Sequence, residues 1–132
     1  MSNRVVLDAS ALLALIKNEP GASLVAAALT ESMMSAVNYA EVLGKLSDDG
    51  WPHDVAANAV RSLGFEVVDF NVAQAEAAGH LRSLSRQAGL SLGDRACLAL
   101  GLASGLEILT ADAAWVRIAD QVGLTITDIR NR

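Results

Sequence analysis

The chain is 132 residues long and 52% hydrophobic, with a formal net charge of −5. That length supplies one core and not two, so residues 1–132 are expected to form a single domain. A lone cysteine excludes a disulfide framework within the chain, the acidic balance argues at first sight against a nucleic-acid partner, and no run approaches the roughly 18–20 uncharged apolar residues of a membrane span.

The first predicted strand covers Arg4 to Leu7, and a helix follows from Ser10 to Lys17. This apolar start has the outline of a signal peptide, but Asp8 interrupts it and no convincing cleavage site follows, so it reads as strand and helix. A helix over Ala22 to Glu31 leads to a strand at Met33 to Ala36 and a helix at Asn38 to Ser47. The Asp48-Asp49-Gly50 turn and Pro52, suited to a first helical position, introduce a helix to Leu63, giving a helical hairpin that could stand off the sheet. Next come a strand at Glu66 to Asp69, a helix at Val72 to Gln87 and a helix at Leu92 to Ala103 holding Cys97, whose apolar setting fits a core role in a reducing, cytoplasmic protein. A strand at Glu107 to Leu109, a helix at Ala113 to Val122 and a strand at Thr125 to Thr127 close the chain. Gly64, Gly89, Gly105 and Gly123 suit helix ends. Strands alternating with helices predict a parallel α/β sheet, and the scarcity of aromatics beside abundant Ala, Leu and Val agrees.

Asp8 and Asp112 each end a short apolar run and open a helical pattern. In an open parallel sheet, ligands gather outside the carboxyl ends of strands near the point where strand order reverses, so acids placed there converge. Asp94 starts an apolar helix and Glu41 interrupts another. Four carboxylates in one crevice would repel one another without a cation between them, and a divalent metal is the natural candidate. Were these four to hold metal, the rest of the chain would carry only −1, so net charge neither supports nor excludes RNA or DNA.

Each acid also has a plainer role. Asp8 can cap the helix beginning near Ser10, Thr110 can cap the next one while Asp112 complements its dipole, and Asp94 is a first-turn acid after Gly93. Glu41 precedes Lys45 by one helical turn in the favoured order for a surface pair, worth about 0.2–0.5 kcal/mol. Asp69 and Asp128 end predicted strands as well, so strand-end position alone overcalls sites. His53 and His80 stand in polar helical contexts and form no zinc-like set with Cys97; Trp51 and Trp115 read as packing residues, and GLASG as close helix packing with a terminal glycine cap.

The set of segments is more specific than any one acid. Asp8 in VVLDASALLAL, Glu41 in AVNYAEVLGKL, Asp94 in SLGDRACLALG and Asp112 in ILTADAAW together resemble the PIN domain, specifically the small VapC-type ribonuclease toxins. The resemblance covers nearly the whole chain in order, including the DDGWP turn and the closing TITDIR; SLGDRACLALG followed by LTADAAW is its most specific part. It implies a parallel sheet in the order 3-2-1-4-5 with helices on both faces and the acids meeting at its carboxyl edge. On these positions it implies Asp8, Glu41, Asp94 and Asp112 as the catalytic set, with Ser10 and Thr110 as hydroxyl support. Asp8 and Asp94 are expected to ligate Mg²⁺ or Mn²⁺ directly, Asp112 directly or through water, and Glu41 to orient water or a second ion. The implied reaction is hydrolysis of an RNA phosphodiester to a 5′-phosphate and a 3′-hydroxyl. The implied partners are a VapB-like antitoxin, the RNA substrate and a second copy in a homodimer, in the cytoplasm and without a membrane. Two alternatives stand beside this. One is a receiver-type signalling module phosphorylated on Asp69, for which TITDIRNR lacks the lysine expected after the last strand; the other is an inactive PIN-like interaction module.

Overall fold

The apolar runs at Val5–Leu7 (β1), Ser32–Ser35 (β2), Glu66–Val68 (β3), Glu107–Thr110 (β4) and Ile126–Asp128 (β5) pair into one all-parallel sheet in the order β3-β2-β1-β4-β5. This arrangement comes from a computed structural model that describes residues 4–85 and 89–130. Between the strands lie α1 (Ala9–Ile16), α2 (Ala22–Ala28), α3 (Ala36–Asp48), α4 (His53–Arg61), α5 (Val72–Ser85), α6 (Leu92–Ser104) and α7 (Ala119–Val122), with 3₁₀ turns at Leu29–Glu31 and Ala113–Ile118.

Strand alternation divides the apolar residues into two cores. Val5, Leu7, Met34 and Leu109 pack with Leu12, Val25, Val42, Leu46 and Val60 from α1 to α4. Their neighbours Val6, Met33 and Ile108 face the other way, onto Leu81 of α5 and Cys97, Leu98 and Leu100 of α6. A strand buried on both faces reads as a continuous apolar run, which is why VVL carries no polar alternation. Helices therefore cover both faces. Cys97 is fully buried, as its apolar setting predicts.

The register fixes the functional edge. β1 lies between β2 and β4, pairing Val5 with Ser32 and Leu7 with Leu109. The chain steps from β1 outward through β2 to β3, then returns to the opposite side of β1 for β4 and β5, so strand order reverses between β1 and β4. The residues just past those two strands open on the crevice where such sheets bind ligands. A receiver-type sheet has the order 2-1-3-4-5, with its third strand against the first; here β3 is an outer edge, which places Asp69 away from the switch point.

Several boundaries differ from the sequence expectation, each for a local reason. β2 begins at Ser32, whose pairing with Val5 draws a polar residue into the strand, and α3 begins at Ala36 because Ser35 Oγ accepts the Val37 amide and caps it. Pro52 is extended and occupies the cap position, so α4 starts one residue later. Residues 113–122 open as a 3₁₀ turn before α7. The predicted end of the fifth helix at Gln87 lies outside the described residues. The hairpin of α3 and α4 does not stand off the sheet, since Ala56 and Val60 are buried in the same core as β1 and α1, with Trp51 packed beside them. Among the described residues, no helix is long and apolar enough to cross a membrane.

Candidate active site

Asp8 leaves β1 in extended conformation and caps α1, its Oδ1 accepting the Ala11 amide at 2.8 Å. Two hydroxyls complete its surroundings. Ser10 donates to Oδ1 at 2.7 Å and Thr110, the last residue of β4, donates to Oδ2 at 2.5 Å. Each hydroxyl has a single proton, so both are spent on Asp8, and their own oxygens are left to accept: Ser10 Oγ takes the Ala111 amide at 2.8 Å and Thr110 Oγ1 the Asp112 amide at 3.0 Å. These bonds sew the ends of β1 and β4 together and hold the Asp8 carboxylate in one orientation.

Asp112 follows directly, capping the 3₁₀ turn with Oδ1 on the Ala114 amide at 2.9 Å. Asp94 sits at the third position of α6 in a reciprocal capping box: its carboxylate accepts the Ser91 amide at 3.0 Å while Ser91 Oγ accepts the Asp94 amide at 3.2 Å. Glu41, one turn into α3, accepts from Asn38 Nδ2 at 2.8 Å. Asp8 caps its helix as expected, whereas the turn after β4 is capped by Asp112 and not by Thr110, whose hydroxyl is bonded to Asp8; none of these caps competes with a shared cavity. Caps on Asp94 and Asp112 use one oxygen each, leaving the second available as a ligand. The surface pair expected between Glu41 and Lys45 is replaced by the Asn38 bond, because Asn38 lies three residues back on the same helix face.

All four acids line one cavity of about 180 Å³, together with Ser10, Asn38 and Lys45. Their charges act on each other. Burial pushes the Asp8 carboxyl up to about 6, the Thr110 and Ser10 hydroxyls and the Ala11 amide pull it back, and the negative charge of Asp94 raises it further. Cys97 reports the same convergence from beneath: burial raises its thiol first, followed by the charges of Asp8, Asp94 and Glu41. Arg95, although next to Asp94, turns away and donates to the Ala78 carbonyl of α5 at 3.0 Å. Asp69 is not part of the cavity lining, and Asp128 lines a neighbouring depression with Asp112 and Arg130. His53 and His80 are exposed, and the side chain of Trp115 lies outside the described residues.

The donor set suits a hard divalent cation. It offers carboxylate oxygens with no sulfur or imidazole, and three donors on Asp8 favour its ionised, ligating form against the opposing pull of burial. In the side-chain positions of this structure, no three acidic, histidine or cysteine groups among the described residues close to ligand distance around a point. Ligation would draw Glu41 and Asp112, both exposed, inward from the cavity wall. Asn38 is the site residue that sequence reasoning passed over. Its signal was there: a polar residue three positions before Glu41, on an otherwise core-facing stripe with Val42 and Leu46.

The PIN domain model matches residues 5–121. Among curated proteins, none matches the chain. Among solved structures, the chain is similar to VapBC-1 from nontypeable Haemophilus influenzae, at 22% identity and a TM-score of 0.71, covering 96% of this chain and 98% of that one. It is also similar to FitAcB from Neisseria gonorrhoeae, at 15% identity and a TM-score of 0.69 over 97% and 99% of the two chains. A third likeness is VapBC-5 of Mycobacterium tuberculosis, described as a toxin-antitoxin system, at 18% identity and a TM-score of 0.60 over 94% and 97%. At these identities the likeness is one of fold.

Proposed function

Because the chain belongs to the PIN-domain family, we propose that it is a Mg²⁺- or Mn²⁺-dependent endoribonuclease, the VapC-type toxin of a pair with a VapB-like antitoxin. The observation that carries this reading is the meeting of Asp8, Glu41, Asp94 and Asp112 in one cavity at the switch point of the sheet. Asp8 and Asp94 would hold the metal, with Asp112 beside them and Glu41 orienting a water or a second ion. When bound, the ion supplies Lewis-acid activation of water and of the scissile phosphate. The chain's own part is positional. Ser10 and Thr110 fix the orientation of the Asp8 carboxylate, which would be one ligand of the cation, and capping bonds do the same for Asp94. The charged side chains of the lining are the four acids and Lys45, with no histidine among the described lining residues.

The toxin reading is supported by the likeness in fold to the VapBC complexes. An apolar groove of about 210 Å³, walled by Ile16, Leu46, Trp51 and Leu63, offers an antitoxin segment a surface to cover. A homodimer, a cytoplasmic setting and an antitoxin cation reaching the acid cavity belong to the same proposal. The test is incubation of purified, antitoxin-free protein with cellular RNA in Mg²⁺, Mn²⁺ or EDTA. Metal-dependent fragments with 5′-phosphate and 3′-hydroxyl ends are expected. Intact RNA in every metal would leave the inactive interaction module as the better reading.

A further inference from the structure

We infer that Asn38 is a positioning residue that, with Gly93, sets the Glu41 carboxylate in the acid cavity. The inference rests on the metal-site reading above and concerns how that site is built. Asn38 is 1% exposed, at the contact of α3 with α6. Its amide nitrogen carries two protons. One goes to Glu41 Oε1 at 2.8 Å and the other to the Gly93 carbonyl at 3.0 Å. Both partners are acceptors, so the amide can face only one way: turned over, its oxygen would meet a carboxylate and a carbonyl. One side chain thereby ties the helix bearing Glu41 to the first turn of the helix bearing Asp94.

Gly93 supplies the other half. A Cβ placed there would overlap both carboxylate oxygens of Glu41, so the carboxylate lies directly against the glycine backbone. Gly93 is helical without a positive φ, and its lack of a side chain answers to Glu41 rather than to any turn. A packing role alone does not account for Asn38. Its Oδ1 is buried with no hydrogen-bond partner among the described residues, a cost that a leucine of similar size would avoid. The amide is useful here for its two donations. Without the first, Glu41, an exposed side chain with several rotatable bonds, would lose the hydrogen bond that holds it over the cavity; without the second, Asn38 would lose its tie to α6.

Two measurements test this. In metal-free, ¹⁵N-labelled protein, the Asn38 side-chain amide protons should exchange slowly with solvent, and both Glu41→Ala and Gly93→Ala should shift and deprotect one of them. An Asn38 amide indifferent to both substitutions overturns the inference without reference to metal. The second measurement is Mn²⁺ titration of the wild type, Asn38→Leu, Glu41→Gln and the double variant, each checked for folding by its melting curve. Loss of an outer-shell partner typically weakens metal binding roughly 10–100-fold. Asn38→Leu should fall in that range, and the double variant should be no weaker than Glu41→Gln, since the amide acts through the carboxylate. Gly93→Ala should weaken binding while melting no lower than the wild type, because alanine is the better helix former. A folded Asn38→Leu that binds like the wild type while Glu41→Gln is impaired overturns the inference, as does a full sum of the two losses. Failure of the wild type to take up Mn²⁺ would overturn the metal-site reading instead, and the amide measurement would still decide what Asn38 does.

Discussion

Asp8 shows how a single carboxylate can serve structure and site at once, and at what cost. Its folded pKa stands at about 6 against the usual 3.8, burial being the largest cause. The folded protein therefore binds this proton more tightly than the unfolded chain does. Stability from this group is greatest below the usual value and is lost as pH rises through about 6, by about 3 kcal/mol when complete. Asp8→Asn removes the penalty and keeps the framework: its oxygen can still accept the Ala11 amide, and its amide can donate to Thr110, whose proton then turns toward Ser10, 3.2 Å away. In EDTA the variant should melt with the wild type near pH 4 and above it at pH 7. Equal melting temperatures at both values would show that ionisation of Asp8 costs the fold nothing. Asp94→Asn tests the chemistry. The asparagine oxygen can still accept the Ser91 amide, so folding should be kept, while RNA cleavage falls by roughly 100-fold or more, the upper end of what even an outer-shell partner can cost. Wild-type cleavage by the folded variant would remove Asp94 from the site.

Among the elements, α6 carries the most. Its first turn presents Asp94, its middle buries Cys97 and Leu98, and its last turn lies tight on β4, where a Cβ on Gly101 would come within 2.7 Å of Ile108 Cδ1 and 3.4 Å of Leu124 Cδ1. Gly101→Ala gains about 1 kcal/mol of helix propensity but overpacks a closed core at about 1–3 kcal/mol. A net loss of about 1 kcal/mol in urea unfolding is expected, and a gain would mean that α6 lifts from the sheet easily. Most of this element was legible beforehand. Ser91 and Gly105, which bound it in the structure, are a strong N-cap and a left-handed glycine C-cap, and from Ala96 to Ala103 no charged residue interrupts the helix. Residues 113–122 were less so, because a 3₁₀ opening held by the Asp112 cap has the same composition as an α-helix and differs only in which carbonyl each amide reaches.

For the whole molecule, the proposed sharing of one ion by four acids at one edge would link metal binding to folding. Mn²⁺ should raise the wild-type melting temperature with concentration, by the equivalent of about 2.7 kcal/mol at a hundredfold excess over Kd, and raise Asp8→Asn and Asp94→Asn less. Equal responses in all three would mean that the carboxylates do not share an ion. The sequence by itself determined the alternation of strands and helices, because burial on both faces demands unbroken apolar strands and amphipathic helices leave a 3.6-residue imprint. It also carried the four acids in segments specific enough to point to the PIN family, together with the two hydroxyls. It did not determine the company each acid keeps. Asp8 meets Thr110 across 102 residues of chain, and Asn38 meets Gly93 across 55. Local propensity has no reach over such separations; only the parallel register, which sets the end of β1 beside the end of β4 and packs α3 on α6, decided that Thr110 holds Asp8 and that Asn38 ties the helix of Glu41 to Gly93.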